Sequence, residues 1–163
     1  MIDLSFLQSH ALFGGVQEAE LRKIQAMFKE HRFEKGSCIV REEDSGDCLY
    51  LIYHGAVEIL KKTPTPEGTV DERLAILQSG ESFGEMQLID IEPRSATVRA
   101  VADTEAFSLA NKDLFSIAEW SPETFTLIIM NIAREISRRL RRMDSLAATL
   151  LYASRAGEPS REA

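Results

Sequence analysis

The sequence predicts an α+β fold: an antiparallel β-roll (jelly-roll-like) with helices before it, a short helix set into it and a long helix after it. Three observations carry this. Between Phe33 and Ala110 apolar residues recur with a period near two, in about eight short runs separated by glycine-bearing turns. That is the spacing of an antiparallel roll or sandwich. Upstream, Val16, Leu21, Ile24, Met27 and Phe28 lie mostly three or four apart, the helical period. Downstream, Phe125, Ile129, Ile132, Ile136, Leu140, Met143, Ala147 and Leu150 continue that period without a break, one apolar stripe over roughly seven turns. The chain has 163 residues, 44% of them hydrophobic and 28% charged. This is enough for one domain with a packed core.

In chain order, residues 4–15 carry Leu4, Phe6, Leu7, Leu12 and Phe13 ahead of Gly14-Gly15 and read as a short helix and a turn. Residues 16–29 read as an amphipathic helix, with Glu18 and Glu20 near its positive end. His10 and His31 are isolated from any second ligand at metal-binding spacing, and each reads as a surface or capping residue. Residues 34–36 turn, 37–41 form a strand, 42–47 an acidic loop, 48–53 a strand, His54-Gly55 a bend and 56–61 a strand. The acidic loop lacks the oxygen spacing and distal glutamate of a calcium loop and reads as a solvated turn. Residues 63–68 read as a hairpin loop, because prolines do not sit in a central strand. Residues 73–78, 97–102 and 106–110 are strands, and Asn111-Lys112-Asp113 caps a short helix through Ala118. Ser121 as N-cap and Pro122 at the first helical position then open a helix over about 121–153. The roll occupies about 33–110, one domain spans 1–156, and 157–163 reads as a disordered tail.

Residues 83–100 carry the candidate chemistry. Gly84 lets the backbone turn or approach a ligand closely. Glu85–Ile89 suit one or two helical turns, whose first N–H groups face any anion placed there. Pro93 ends the turn. Arg94 then offers a fork of donors that matches phosphate oxygens, with the Ser95 hydroxyl beside it. From Ala96 the chain alternates as a strand. A carboxylate and a guanidinium nine residues apart, bracketing a short helix, suit a sugar hydroxyl and a phosphate held together.

The run Phe83-Gly84-Glu85-Met86-x-Leu88-Ile89-x-x-x-Pro93-Arg94-Ser95-Ala96-Thr97-Val98-Arg99-Ala100 resembles the phosphate-binding cassette of the cyclic nucleotide-binding domain. That module occurs in cyclic-AMP receptor proteins, cyclic-nucleotide-dependent kinases and gated channels. Residues 33–55, with Phe33, Gly36, Gly46 and Gly55 at turn positions, are similar to the opening of that family's β-roll. The resemblance covers residues 6–152. It implies that Glu85 binds a ribose 2′-hydroxyl and Arg94 a cyclic phosphate. Backbone N–H groups near Met86, Gln87 and Ser95 would complete the anion nest, within a ligand-binding set of Phe83, Gly84, Glu85, Met86, Gln87, Arg94, Ser95 and Ala96. It also implies that the long helix lies over the base, bringing Met143 and Asp144 to it, with Arg142 and Ser145 nearby. An ionised aspartate complements the paired donors of guanine better than adenine, although Ser95 occurs at its position in cyclic-AMP binders of the receptor-protein type. The ligand expected is therefore cAMP, with cGMP as the alternative, and no cofactor or metal.

The formal net charge of −7 argues against broad nucleic-acid binding. It also requires a local positive site to capture an anionic ligand. No apolar run reaches the length of a membrane span, no signal peptide is evident, and Cys38 and Cys48 read as two buried thiols in a reducing cytoplasm. In the family's transcription factors a helix-turn-helix domain follows the long helix. About a dozen residues remain here, so no DNA partner is expected. No nucleophile elbow, metal constellation or kinase signature marks an enzyme. The expected role is a sensor that acts on an unidentified effector protein and dimerises through the long helix. The competing role is a ligand-free interaction or dimerisation domain with a vestigial pocket. The five arginines of residues 134–142 read as a solvated face, with an anionic partner as the alternative.

Overall fold

The computed structural model of the chain describes residues 1–89 and 92–156, except for the side chains of Gln87 and residues 154–156. The predicted tail at 157–163 lies outside the described residues. The helices are α1 (Leu4–Ser9), α2 (Glu18–Gln25), α3 (Asn111–Trp120) and α4 (Pro122–Ala156), with 3-10 turns at Ala11–Phe13 and Glu85–Leu88. The strands are β1 (Lys29–Phe33), β2 (Cys38–Val40), β3 (Cys48–His54), β4 (Ala56–Thr65), β5 (Gly68–Gln78), β6 (Ser82–Phe83), β7 (Thr97–Ala100) and β8 (Thr104–Ala110). They form two antiparallel sheets, ordered β1-β8-β3-β6 and β2-β7-β4-β5. The predicted β-roll with flanking helices is the architecture observed.

Several boundaries differ from the sequence reading, each for a tertiary reason. Residues 29–33 are strand, paired with β8 from Lys29 against Ser108 to Phe33 against Thr104. Lys-Glu-His-Arg-Phe has no apolar alternation, but it lies at the end of its sheet, where Lys29, Glu30 and Arg32 face solvent and pairing with β8 makes the strand, helped by the His31 contact to Ser108 at 2.8 Å. The 63–68 hairpin loop shrinks to Pro66 and Glu67, and Pro64 pairs with Thr69. Beyond Leu60, β4 has lost its β7 neighbour, so Pro64 sits in the edge environment that proline tolerates. Asn111 is the first residue of α3 rather than its cap. Cys38 is exposed and Cys48 half-buried, not both buried, and neither is in a disulfide.

Two cores hold the fold. Leu49 and Leu51 of β3 and Phe107 and Leu109 of β8 point to one side of their sheet, against Leu7, Leu12, Leu21, Ile24, Leu114, Ile128 and Ile132 of the helical layer. Ile52 and Phe83 point the other way, into a smaller cluster inside the roll with Val57, Leu77 and Val98. The sheet is thus covered on both faces, which is why β8 reads as an almost continuous buried run. Ser121 caps α4 as expected, accepting from the Thr124 N–H at 3.4 Å, and its hydroxyl donates to Glu20 of α2 at 2.7 Å. Asn131 donates to the Leu12 and Gly14 carbonyls at 3.2 and 2.9 Å, pinning α4 to the N-terminal layer. Among the described residues, no helix is long and apolar enough to cross a membrane.

Candidate functional site

The segment after β6 is anchored in both cores. Phe83 is buried in the roll interior and stacks on Tyr50 with ring centroids 4.9 Å apart. Leu88, five residues on, is buried in the helical core. Between them Gly84 adopts φ +82°, a left-handed conformation open to glycine at little cost. The single 3-10 turn Glu85–Leu88 follows. This reversal turns the Glu85 side chain inward, where it is 3% exposed.

Glu85 does not meet its charge partner across the short helix. Oε1 accepts from Arg139 Nη1 of α4 at 2.5 Å, while the same guanidinium donates through Nη2 to the Ser82 carbonyl. Glu135, one turn earlier on α4, supports Arg139 Nε at 3.6 Å. Glu85 Oε2 is buried and has no hydrogen-bond partner. Burial raises the carboxyl pKa above the usual range, against the lowering effect of Arg139.

Arg94 is equally buried, at 5% exposure. Its Nη2 donates to the Cys48 carbonyl at 3.0 Å. A Cβ built on Gly46 would lie 2.1 Å from Arg94 Nε, and one on Gly84 2.5 Å from Arg94 Nη1. The guanidinium therefore occupies a slot that two glycines leave open. Its backbone is clamped to the acidic loop, with Glu43 N–H donating to the Arg94 carbonyl and Arg94 N–H to the Asp44 carbonyl, both at 2.9 Å. That loop is not wholly solvated, as its composition suggests. Glu42 is buried, accepts the Lys62 N–H at 2.9 Å and pairs with Lys61 Nζ at 2.5 Å. Lys61 in turn donates to the Ser95 carbonyl at 2.8 Å. A cavity of about 220 Å³ opens beside Arg94, lined also by Val40, Asp44, Gly46, Cys48 and Tyr50. No group of three or more potential metal ligands occurs among the described residues.

The structure thus brings together Phe83, Gly84, Glu85 and Arg94. Met86 and Ser95 are exposed, the Ser95 hydroxyl approaching Met86 Sδ at 3.8 Å, and Ala96 is half-buried; none of the three lines the cavity beside Arg94. The side chain of Gln87 lies outside the described residues. Met143 and Asp144 are exposed on α4, about one turn beyond Arg139. Arg139 and Gly46 are two residues of this candidate site that sequence reasoning missed. Arg139 belonged to an arginine run read as solvated. Its signal was its position in register with Ile132, Ile136 and Met143, a cation on the apolar stripe. Gly46 read as a turn glycine, and only the path of Arg94 reveals its second role.

The family model of the cyclic nucleotide-binding domain matches residues 30–119. The cyclic AMP receptor protein of Thermus thermophilus is 33% identical over 138 residues, 85% of this chain and 61% of that protein. The chain thus spans about three fifths of that relative's length. The crystal structure of Thermus thermophilus catabolite activator protein superposes with a TM-score of 0.72 at 34% identity, over 87% of this chain and 63% of that one. The regulatory domain of Toxoplasma gondii PKA, crystallised with cAMP, gives a TM-score of 0.62 at 25% identity, over 70% of this chain and 42% of that one. With a matched cassette, a roll of the same topology class and a family model covering more than half its residues, the chain belongs to the cyclic nucleotide-binding domain family.

Proposed function

We propose that this domain is a sensor that captures a cyclic nucleotide, cAMP or cGMP, through Glu85 and Arg94 and passes its occupancy to a partner protein through α4. The observation that supports this best is the Glu85 carboxylate, buried with one oxygen held by Arg139 and the other unsatisfied. An orphaned buried acceptor is costly, and a sugar hydroxyl is a donor of the right size to satisfy it. Arg94, immobilised between Gly46 and Gly84, supplies a preorganised cation for the phosphate. Met86, Ser95, Ala96 and the backbone at Gln87 complete the phosphate side.

The cavity of about 220 Å³ is smaller than the roughly 300 Å³ at which small-molecule sites begin. Arg139, which holds Glu85 and the Ser82 carbonyl, rides on α4, so a nucleotide that reaches Glu85 acts on the residue that ties it to α4. Ligand capture is linked in this way to the position of α4. Closure of α4 over the base would bring Met143 and Asp144 to it, and an ionised Asp144 favours guanine. The small cavity is also what supports the second reading, an interaction domain with a vestigial pocket. On either reading the exposed apolar end of α4 pairs two copies of the domain. We assign the domain to the cytoplasm and assign it no reaction of its own.

Calorimetric titration with cAMP and cGMP separates the two readings, since the vestigial pocket gives no saturable heat with either. On the sensor reading, Arg94→Ala costs at least about 2 kcal/mol of binding, with the thermal midpoint followed to detect any loss of fold. Glu85→Ala weakens cAMP binding more than binding of its 2′-deoxy analogue, which already lacks the hydroxyl. Equal losses for the two ligands remove Glu85 from the ribose role. Asp144→Asn lowers the affinity for cGMP relative to cAMP, and an unchanged ratio removes Asp144 from base reading.

A further inference from the structure

The arginine run of α4 divides between two faces of the helix. Arg139 turns inward to Glu85. Arg134, Arg138 and Arg141 line a shallow groove of about 320 Å³ with Met130, Ala133 and Ser137. Those six positions recur at three- and four-residue steps, opposite the buried Ile128 and Ile132. The core therefore holds this part of the helix from behind, and the groove is a supported surface rather than a free helix end.

Each of the three guanidinium groups is oriented by one bond to its own helix. Arg134 Nη1 donates to Asn131 Oδ1 at 2.8 Å, Arg138 Nη1 to Glu135 Oε2 at 2.6 Å and Arg141 Nη1 to Ser137 Oγ at 2.8 Å. All three arginines are exposed, and the bond each makes favours one orientation, which lowers the rotamer entropy lost on binding an acidic group. Residues 134–142 hold five arginines against Glu135 alone, a local charge of +4 in a chain of −7. Met130, 48% exposed, adds an apolar floor.

We infer that this outer face of α4 is a docking surface for a short acidic segment of a partner protein, two or three carboxylates flanking an apolar side chain. The three arginines span roughly 10 Å along the helix, a good match to such a segment. Nucleic acid fits less well, because it presents continuous negative charge to a chain whose formal net charge is −7. The surface is also wired to the pocket. Glu135 accepts from Arg138 on the outer face and forms a longer ion pair with Arg139 on the inner one, and Arg139 holds Glu85. Movement of Arg139 thus disturbs the orientation of Arg138.

The inference rests on the sensor reading only for its purpose, and its test omits nucleotide. The whole chain is titrated into a fluorescein-labelled peptide rich in glutamate with interspersed leucine, and anisotropy is followed at low and moderate salt. Saturable binding is expected, weakened at least tenfold by R134E/R141E and at least severalfold by the milder R134Q/R141Q. Absence of saturable binding, or binding that neither double variant weakens, overturns the proposal. So does tighter binding of a single-stranded oligonucleotide of equal length, or of vesicles containing an anionic phospholipid. Calorimetry of the double variants with cAMP reports separately on the pocket, so failure of docking and failure of the sensor reading are told apart.

Discussion

Glu43 is the one non-glycine residue with positive φ among those described, at +71°. It lies in the loop whose backbone clamps Arg94, and its N–H makes one of the two clamping bonds. A left-handed conformation costs an L-residue about 1–2 kcal/mol, of which glycine's extra chain entropy returns up to about 1 kcal/mol. Because the Glu43 side chain is exposed, Glu43→Gly is expected to stabilise the fold by roughly 0.5–1 kcal/mol. The urea midpoint reads this directly, and an unchanged or lower midpoint would show that the side chain compensates for the strain. His10 gives a second residue-scale expectation. It is 6% exposed among Phe6 and Phe13, its Nδ1 accepts the Leu12 N–H at 3.3 Å and its Nε2 has no partner. Burial lowers its pKa from 6.5 to about 4, against the weaker effect of Glu135. Between those values the unfolded chain takes up a proton that the native ring refuses, so stability falls as pH drops through that window. The loss reaches roughly 3 kcal/mol at about 1.36 kcal/mol per pKa unit. His31, also lowered by burial, acts in the same sense, whereas Glu85, raised by burial, loses stability as pH rises. Comparing the pH 5 and pH 7 urea midpoints of wild type and His10→Gln isolates the His10 share. Equal pH slopes would refute it.

At the scale of elements, α4 does two jobs with one stripe. Its first half buries Ile128 and Ile132 against the domain, and from Leu140 to Tyr152 every residue is exposed. Leu140, Met143, Leu146 and Leu150 are each roughly half exposed or more. An isolated helical extension of this length is marginal in water, and its apolar face extends past the surface of its own domain. On the dimer proposal, a second copy of the helix would cover it. Leu146→Arg is expected to turn a dimer into a monomer in light scattering, with the fold intact. A wild-type chain that is monomeric at micromolar concentration would end the idea. The stripe, the cap at Ser121 and most strands were legible in the sequence, because each follows from local period and local capping. The strand at 29–33 and the extended β4–β5 hairpin were not, because pairing with a distant strand created the first and loss of a neighbour permitted the second.

For the whole molecule, the division is between chemistry that travels along the chain and contacts that fold it back. The alternation from Phe33 to Ala110, the long helical stripe and the spacing from Glu85 to Arg94 determined the β-roll, the C-terminal helix and the two charged groups of the site. Each is a relation between residues close in sequence, where propensity and period decide the outcome. Tertiary structure alone decided what those groups touch. Glu85 was spaced as if to share a ligand with Arg94, and its carboxylate is held by Arg139, fifty-four residues away on α4. Arg94 lies in a slot that Gly46 and Gly84 leave open from two different segments. Glu42, in a loop acidic enough to read as solvated, is buried under Lys61. A buried charge is tolerated only when a partner offsets its desolvation, and for Glu85 that partner comes from a distant helix, so its identity is set by packing and cannot be read from neighbouring residues.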